Sequence, residues 1–473
     1  TKIVATIGPS TEEYPNLRKV IEAGVDICRL NFSHGTHDDH QKRLDNIRRL
    51  EKEFDKKIPI IGDTQGPKMR IGSFEGAQQV LKDGQTFTVD NDPTPGDSAR
   101  VQLPNIAVLH ALEVGHYVLV DDGKIKLRVT EKGKDYAKTK VIVGGVIKDK
   151  KGFNLPNTIV DLPILTEKDL RDLEFMLGPT MGVDLVAVSF AQTPDDLRKA
   201  KKIIAGRAPM VVKVEKPTAA IDYLDEIVDL ADVVMIARGD MAVEVGPEKV
   251  PSIQKHIIRV CRDRRRPAIV ATQMLESMIE GTFPTRAEAT DVANAVYEGT
   301  DCTMLSAESA SGRYPTEAVR MMDTIIRQTE ADPDYREYLE GFSAEIHSNT
   351  IGNIMATSVV DIADAVGAKA VFAYTTSGTT AIDVSKNKPD APTIAITTDS
   401  RIAGRVGMAW GVIPVVISAT DSHKIDDLSR DIAIKRGLAK KGDLIVVTFS
   451  KGTATAKKIL SASESMFVGV VKV

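Results

Sequence analysis

The chain has 473 residues, with hydrophobic residues at 42% and charged residues at 27%, the balance of an ordinary globular protein and too long for one core. A formal charge of −4 gives no basic footprint for nucleic acid, and no apolar stretch has the length of a membrane span. Neither nucleic acid nor membrane is therefore an expected partner, and cytoplasm is the default compartment. Cys28, Cys261 and Cys302 are far apart, make no metal-ligand spacing, and read as buried free thiols in a reducing compartment.

In chain order, eight short apolar runs rich in Val and Ile occupy residues 2–309: KIVATIG, DICRLNFS, IPIIGDTQG, DLVAVSFA, PMVVKVEK, DVVMIARGD, PAIVATQM and CTMLSAES. Each is about strand length and leads into an amphipathic stretch, which predicts an α/β fold built on a parallel (β/α)8 TIM barrel. Buried parallel strands are otherwise apolar, yet here polar residues gather at the C-terminal end of each run. That is the end where barrels place their chemistry. Arg29, Asn31, Ser33, Asp63, Thr64, Lys213, Glu215, Asp240, Thr272 and Ser306 should therefore converge on one mouth.

The distance from Gly66-Pro67 to Asp184 is too great for one helical crossover. Within it QTFTVD, HYVLV, KIKLRV and TKVIVGGVI alternate and are separated by turn signals, so an all-β domain is expected at residues 69–163. Carried on the third strand–helix loop, it is placed to act as a lid. The barrel is then assigned residues 1–68 and 164–340. Thr166 and Thr193-Pro194, each followed by acidic residues, predict helix starts, and Gly206 predicts a stop. Residues 331–348, with Asp332-Pro333 and Gly341 and few periodic apolar positions, read as the crossing to another domain. Residues 341–473 then alternate on a smaller scale through AVFAYTT, TIAITT, VIPVVI, DLIVVTF and MFVGVVKV, an open α/β domain of regulatory type.

In RLNFSH, residues two apart on a strand share a face, so Arg29, Asn31 and Ser33 line up a guanidinium, an amide and a hydroxyl suited to an oxyanion. KVEK likewise aligns Lys213 with Glu215, and Asp240 follows one strand later. Two carboxylates with no Cys or His nearby suit magnesium rather than zinc, and a lysine beside them suits phosphoryl transfer. The plainer reading pairs Lys213 structurally with these acids. Gly239 would let backbone N–H groups approach a carboxylate, Thr272 and Ser306 offer hydroxyls for a proton path, and His34 is placed to touch a nucleotide.

These motifs together (TKIVATIGPS, RLNFSHGTH, DTQGP, KGFNLP, KVEK, MIARGDMAVE, ATQMLESM and MLSAESASGRYP) resemble the pyruvate kinase family in order and spacing over essentially the whole chain. The resemblance implies a barrel, a β lid after the third strand and a C-terminal α/β domain. It implies a phosphotransferase of glycolysis that moves the phosphoryl group of phosphoenolpyruvate to ADP, giving pyruvate and ATP. Carried across by motif, Arg29 contacts the transferring phosphate and Lys213 stabilises the transition state. Glu215 and Asp240 bind magnesium or manganese, and Gly239, Asp240 and Thr272 hold the phosphoenolpyruvate end. Arg70 and Lys151 reach the nucleotide, and Asn31, Ser33, Asp63 and Thr64 match a monovalent-cation site. A homotetramer is the implied assembly.

Departures from the family pattern are informative. DTQGPKMR stands where the potassium-dependent branch reads DTKGPEIR, so Lys68 is expected to substitute for potassium, which is then not required. Ala307 stands where Gly is common. TTSGTTA resembles the family's effector loop, with Ser377, Gly378, Thr379 and Thr380 as phosphate grips, but Thr376 replaces a frequent basic residue. SKGTATAKK lacks the usual Trp-Arg-Pro-Gly pattern, which counts against fructose 1,6-bisphosphate as effector. A phosphoenolpyruvate-handling lyase would need neither the lid nor a nucleotide lysine, and a dead sensor would have lost Lys213 or a metal carboxylate.

Overall fold

The computed structural model describes residues 1–156, 158–343, 351–418, 425–450 and 466–473. The eight runs form strands Lys2–Thr6, Ile27–Asn31, Ile60–Asp63, Leu185–Val188, Met210–Val214, Val233–Ala237, Ala268–Ala271 and Cys302–Leu305. They close into a parallel barrel in sequence order, the first strand pairing with both the second and the eighth. Alternation divides their side chains. Val4, Ile27, Ile61, Val211, Met235 and Met304 fill the barrel, whereas Ile3, Leu30, Val212 and Val270 pack beneath the helices. Met408, from the C-terminal domain, belongs to the interior cluster and closes the base.

Helix starts follow the local chemistry. Thr36, Thr166, Thr193 and Thr285 each open a helix with a complete capping box, partnered by Asp39, Asp169, Asp196 and Glu288. Each cap contributes about 1 kcal/mol and fixes where the chain turns back along the barrel. The insert leaves the third strand at Gly66, whose φ is +70° and where a Cβ would lie 2.8 Å from Ser189 Cβ. Glycine alone makes that turn without a clash. The insert folds as a six-stranded sheet and a two-stranded one. Beyond the strands the sequence indicates, it has short strands Gln78–Leu81 and Arg100–Gln102 and a helix, Ile106–Ala111, capped by Asn105.

The crossing between the domains is helical over Asp334–Ser343. Tyr335 and Leu339, one turn apart, bury against the barrel core, and two anchors are too few to register as periodicity. The C-terminal sheet has five strands, with Val371–Tyr374 at its centre and Met466–Lys472 antiparallel at the edge. Residues 451–465, holding most of SKGTATAKK, lie outside the described residues. The domain docks closely under the barrel. A Cβ on Gly404 would meet Asp184 Cβ at 2.8 Å, Arg265 pairs with Asp383 at 2.9 Å, and Trp410 N–H donates to Asp301 Oδ1 at 3.0 Å.

Lys388 lies in this junction. Its stem is partly exposed, but its ammonium is buried 4.6 Å from the centre of the Trp410 ring, without a hydrogen-bond partner among the described residues. Burial pushes its pKa down to about 7; Asp301 and Glu330 oppose the fall and Arg262 adds to it. Between about pH 7 and pH 10 the unfolded chain holds a proton that the native state does not, so stability should rise with pH across that window. Lys388→Met should therefore be more stable than wild type near neutral pH, with the gap narrowing towards pH 10. Thermal melts of both proteins check this, and parallel pH curves would refute it.

Candidate active site

The second and third strands place Asn31 opposite Asp63, which sets Arg29 over the same carboxylate. Arg29 Nε and Nη2 reach Asp63 Oδ2 at 2.7 and 2.6 Å, and Nη1 donates to Thr6 Oγ1 at 3.0 Å. From the fifth strand, Lys213 Nζ donates to Ser189 Oγ at 2.9 Å and lies 3.0 Å from Glu215 Oε1 and 3.6 Å from Asp63 Oδ1. Burial alone would lower the Lys213 pKa. Asp63 and Glu215 outweigh burial and the opposing Arg29, so the pKa stays above its ordinary value. Lys213 is thus a fixed positive charge, not a base.

Glu215 is fully buried, and its Oε2 accepts from the Phe190 N–H at 2.6 Å. Burial pushes its pKa up to about 7; Asp240 adds to the rise, while Lys213 and the Phe190 amide restrain it. Among the described residues Oε1 has no hydrogen bond despite the 3.0 Å approach of Lys213, which is an ion-pair contact. An orphaned, buried carboxylate oxygen fits the position of a cation ligand. Asp240 lines a cleft of about 620 Å³ with Lys68, Asp122 and Gln273. Among the described residues no three His, Cys, Asp or Glu side chains form a metal-binding group. Two hard carboxylate donors, Glu215 with an orphaned oxygen and Asp240 in the cleft, suit a magnesium-type ion that completes its shell with substrate and water.

The Lys68 ammonium pairs with Asp240 Oδ1 at 3.6 Å, while Asp63, in the Asn31, Ser33, Asp63 and Thr64 group, is balanced by Arg29 and Lys213. That group is itself split, Asp63 and Thr64 being buried and Ser33 exposed, with the Ser33 N–H donating to Asn31 Oδ1. The Arg238-Gly239-Asp240 segment opens helix Arg238–Val245. Its Gly239 N–H donates to Thr272 Oγ1 at 2.8 Å, which ties the helix start to the end of the seventh strand.

Thr272 and Gln273 are both left-handed, with φ of +67° and +55°. Non-glycine residues in that region cost about 1–3 kcal/mol each and cluster at functional sites. Arg238 over-determines the bend, donating to Ala271 O at 3.1 Å and Thr272 O at 2.6 Å while paired with Asp291. Sequence reading gave Arg238 no such role. Ser306 ends the eighth strand beside the seventh strand, which Thr272 follows, so the two hydroxyls stand on adjacent strand ends. Glu308 ties those ends together, accepting from the Ser306 N–H at 2.7 Å and the Leu275 N–H at 3.2 Å.

The nucleotide candidates sit on the rim and lid. Arg70 donates to Lys150 O at 2.9 Å, Lys151 pairs with Asp121 at 2.9 Å, and His34 is exposed. In the C-terminal domain, Ser377 Oγ and Thr379 Oγ1 are 3.1 Å apart, and left-handed Gly378 leads into helix Thr379–Lys386, which contains Thr380.

A closed (β/α)8 barrel with a β lid over a mouth of paired lysine, arginine and carboxylates is a lidded barrel enzyme for an anionic substrate. Comparison with known proteins makes this specific. Residues 1–319 match the family profile "Pyruvate kinase, barrel domain" and residues 353–459 match "Pyruvate kinase, alpha/beta domain". The chain is 44% identical to a pyruvate kinase of Methylorubrum extorquens, over 94% of this chain and 93% of that protein. It is also 44% identical to one of Agrobacterium vitis, over 96% of each. The crystal structure of a pyruvate kinase from Cryptosporidium parvum superposes with a TM-score of 0.91 at 33% identity, covering 100% of this chain and 96% of that one. The chain belongs to the pyruvate kinase family.

Proposed function

We propose that the chain transfers the phosphoryl group of phosphoenolpyruvate to ADP, giving pyruvate and ATP, with Lys213 as the charge that meets the transferring group. The observation carrying this is the buried ammonium held charged between Asp63 and Glu215 at a lidded mouth. In the reaction the bond from phosphorus to the enol oxygen breaks and a bond to the terminal ADP oxygen forms. Such transfer is mostly positioning and charge neutralisation. Arg29 orients the phosphate, Gly239, Asp240 and Thr272 hold the enolpyruvate end, and the Thr272 and Ser306 hydroxyls relay the proton that makes pyruvate. Arg70, Lys151 and His34 receive the nucleotide. Magnesium or manganese held by Glu215 and Asp240 would supply Lewis-acid neutralisation of substrate oxygens. A coupled assay should give ADP- and magnesium-dependent pyruvate; ADP-independent pyruvate release would favour a lyase instead.

Potassium is not required in this reading. Asp63 already faces two cations, and Lys68 brings a tethered third to the same mouth, which disfavours another ion at close range. Activity in tetramethylammonium chloride should equal that in potassium chloride at constant ionic strength, and Lys68→Glu should acquire potassium activation. Strong activation of the wild type by potassium would refute this. A cytoplasmic homotetramer is the proposed assembly; the exposed Phe283 and Tyr338 side chains are available for contacts between copies, and sedimentation tests it.

A further inference from the structure

The lid hangs from the barrel by two chain segments, and one helix holds both. Helix Arg238–Val245 carries Asp240 and, one turn later, Glu244, and side chains four apart on a helix share a face. On the incoming segment, just after Gly66-Pro67, the Lys68 ammonium lies 3.6 Å from Asp240 Oδ1. On the outgoing segment, Asn154 Nδ2 donates to Glu244 Oε1 at 2.8 Å. The same oxygen accepts from Lys216 Nζ at 2.6 Å, and Lys216 directly follows Glu215. Lys216 and Glu244 are only 6% and 4% exposed, and Glu244 Oε2 has no hydrogen-bond partner among the described residues. The two segments also pair with each other, Ile71 N–H to Lys151 O and Phe153 N–H to Met69 O, both at 3.0 Å.

A buried ion pair is a poor device for stability alone, because apolar residues of similar volume often serve as well. What it provides here is geometry. It fixes the strand end carrying Glu215 against the helix carrying Asp240, and Asn154 adds the lid to the same carboxylate. We propose that Lys216, Glu244 and Asn154 are positioning residues that couple occupancy of the Glu215–Asp240 carboxylate pair by a divalent ion to the position of the lid. The coupling rests on the reading of Glu215 and Asp240 as metal ligands. An ion that fixes Asp240 also fixes Glu244 one helical turn away, and through it the outgoing segment of the lid.

Manganese binding to the full chain, followed by electron paramagnetic resonance, and amide hydrogen exchange at residues 152–155 read the two ends of this link without any turnover. In wild type, manganese should slow exchange there by about tenfold, within the usual range of coupling between sites. Asn154→Ala should still bind manganese but lose that slowing. If Asn154→Ala instead loosens the whole insert, Glu244→Gln tests the same link: it keeps the shape, removes the charge and should reduce the slowing. Manganese that leaves exchange unchanged in wild type, or slows it equally in the variants, overturns the proposal. Unaltered manganese binding by Glu215→Gln is a different failure, that of the metal reading itself.

Discussion

Lys213→Met is expected to lower turnover on the order of a thousandfold while phosphoenolpyruvate still binds, because the lost charge acts chiefly on the transferring group. The substitution also leaves Glu215 and Asp63 facing each other with one cation fewer, and breaking a buried pair in this way costs about 3–5 kcal/mol. A thermal melt must therefore accompany the kinetics. Lys213→Arg separates the two effects: it keeps a charge for both carboxylates, so stability should largely return. Its planar guanidinium cannot occupy the ammonium's point beside Ser189 Oγ, so turnover should stay low. Turnover of the folded Met variant within about tenfold of wild type would remove Lys213 from the reaction.

The second large effect is expected at the carboxylates. Glu215→Gln or Asp240→Asn should raise the magnesium concentration for half-activation by about a hundredfold and lower the maximal rate. The two should differ in stability. Glu215→Gln takes one of two counter-charges from the buried Lys213 and should lower stability, whereas Asp240 is partly exposed and its loss frees only the half-exposed Lys68. Titration of activity with magnesium and with manganese measures the effect. Normal metal dependence in both variants would make the pair structural partners of Lys213 and Lys68.

Much of this site was legible because a barrel converts chain order into a ring. Polar residues at the ends of Val- and Ile-rich runs have one place to converge, so Arg29, Asp63, Lys213, Glu215 and Thr272 could be named from position alone. The partnerships between them were less legible. Ser189 and the Phe190 amide reach Lys213 and Glu215 across a strand boundary, and nothing in DLVAVSFA distinguishes them from an ordinary strand end. The flexible stem of Lys68 has several carboxylates within reach, and only the folded mouth selects Asp240. The left-handed pair Thr272–Gln273 carries no glycine or asparagine signal, because Arg238, remote in sequence, holds the bend. The helical crossing at Asp334–Ser343 escaped for the opposite reason: its two anchors are local but sparse.

Met408 gives the barrel a dependence on synthesis order. Its side chain fills the base among Val4, Ile27 and Cys302, and its carbonyl accepts from Cys302 Sγ at 3.1 Å. A ribosome making this chain finishes the eighth barrel strand at Leu305 roughly a hundred residues before it delivers that plug. The nascent barrel can close its ring of strands during that interval, but with an open floor and an exposed apolar interior. Chaperone binding to stalled nascent chains should therefore persist past the last barrel strand and end only once Met408 has cleared the exit tunnel.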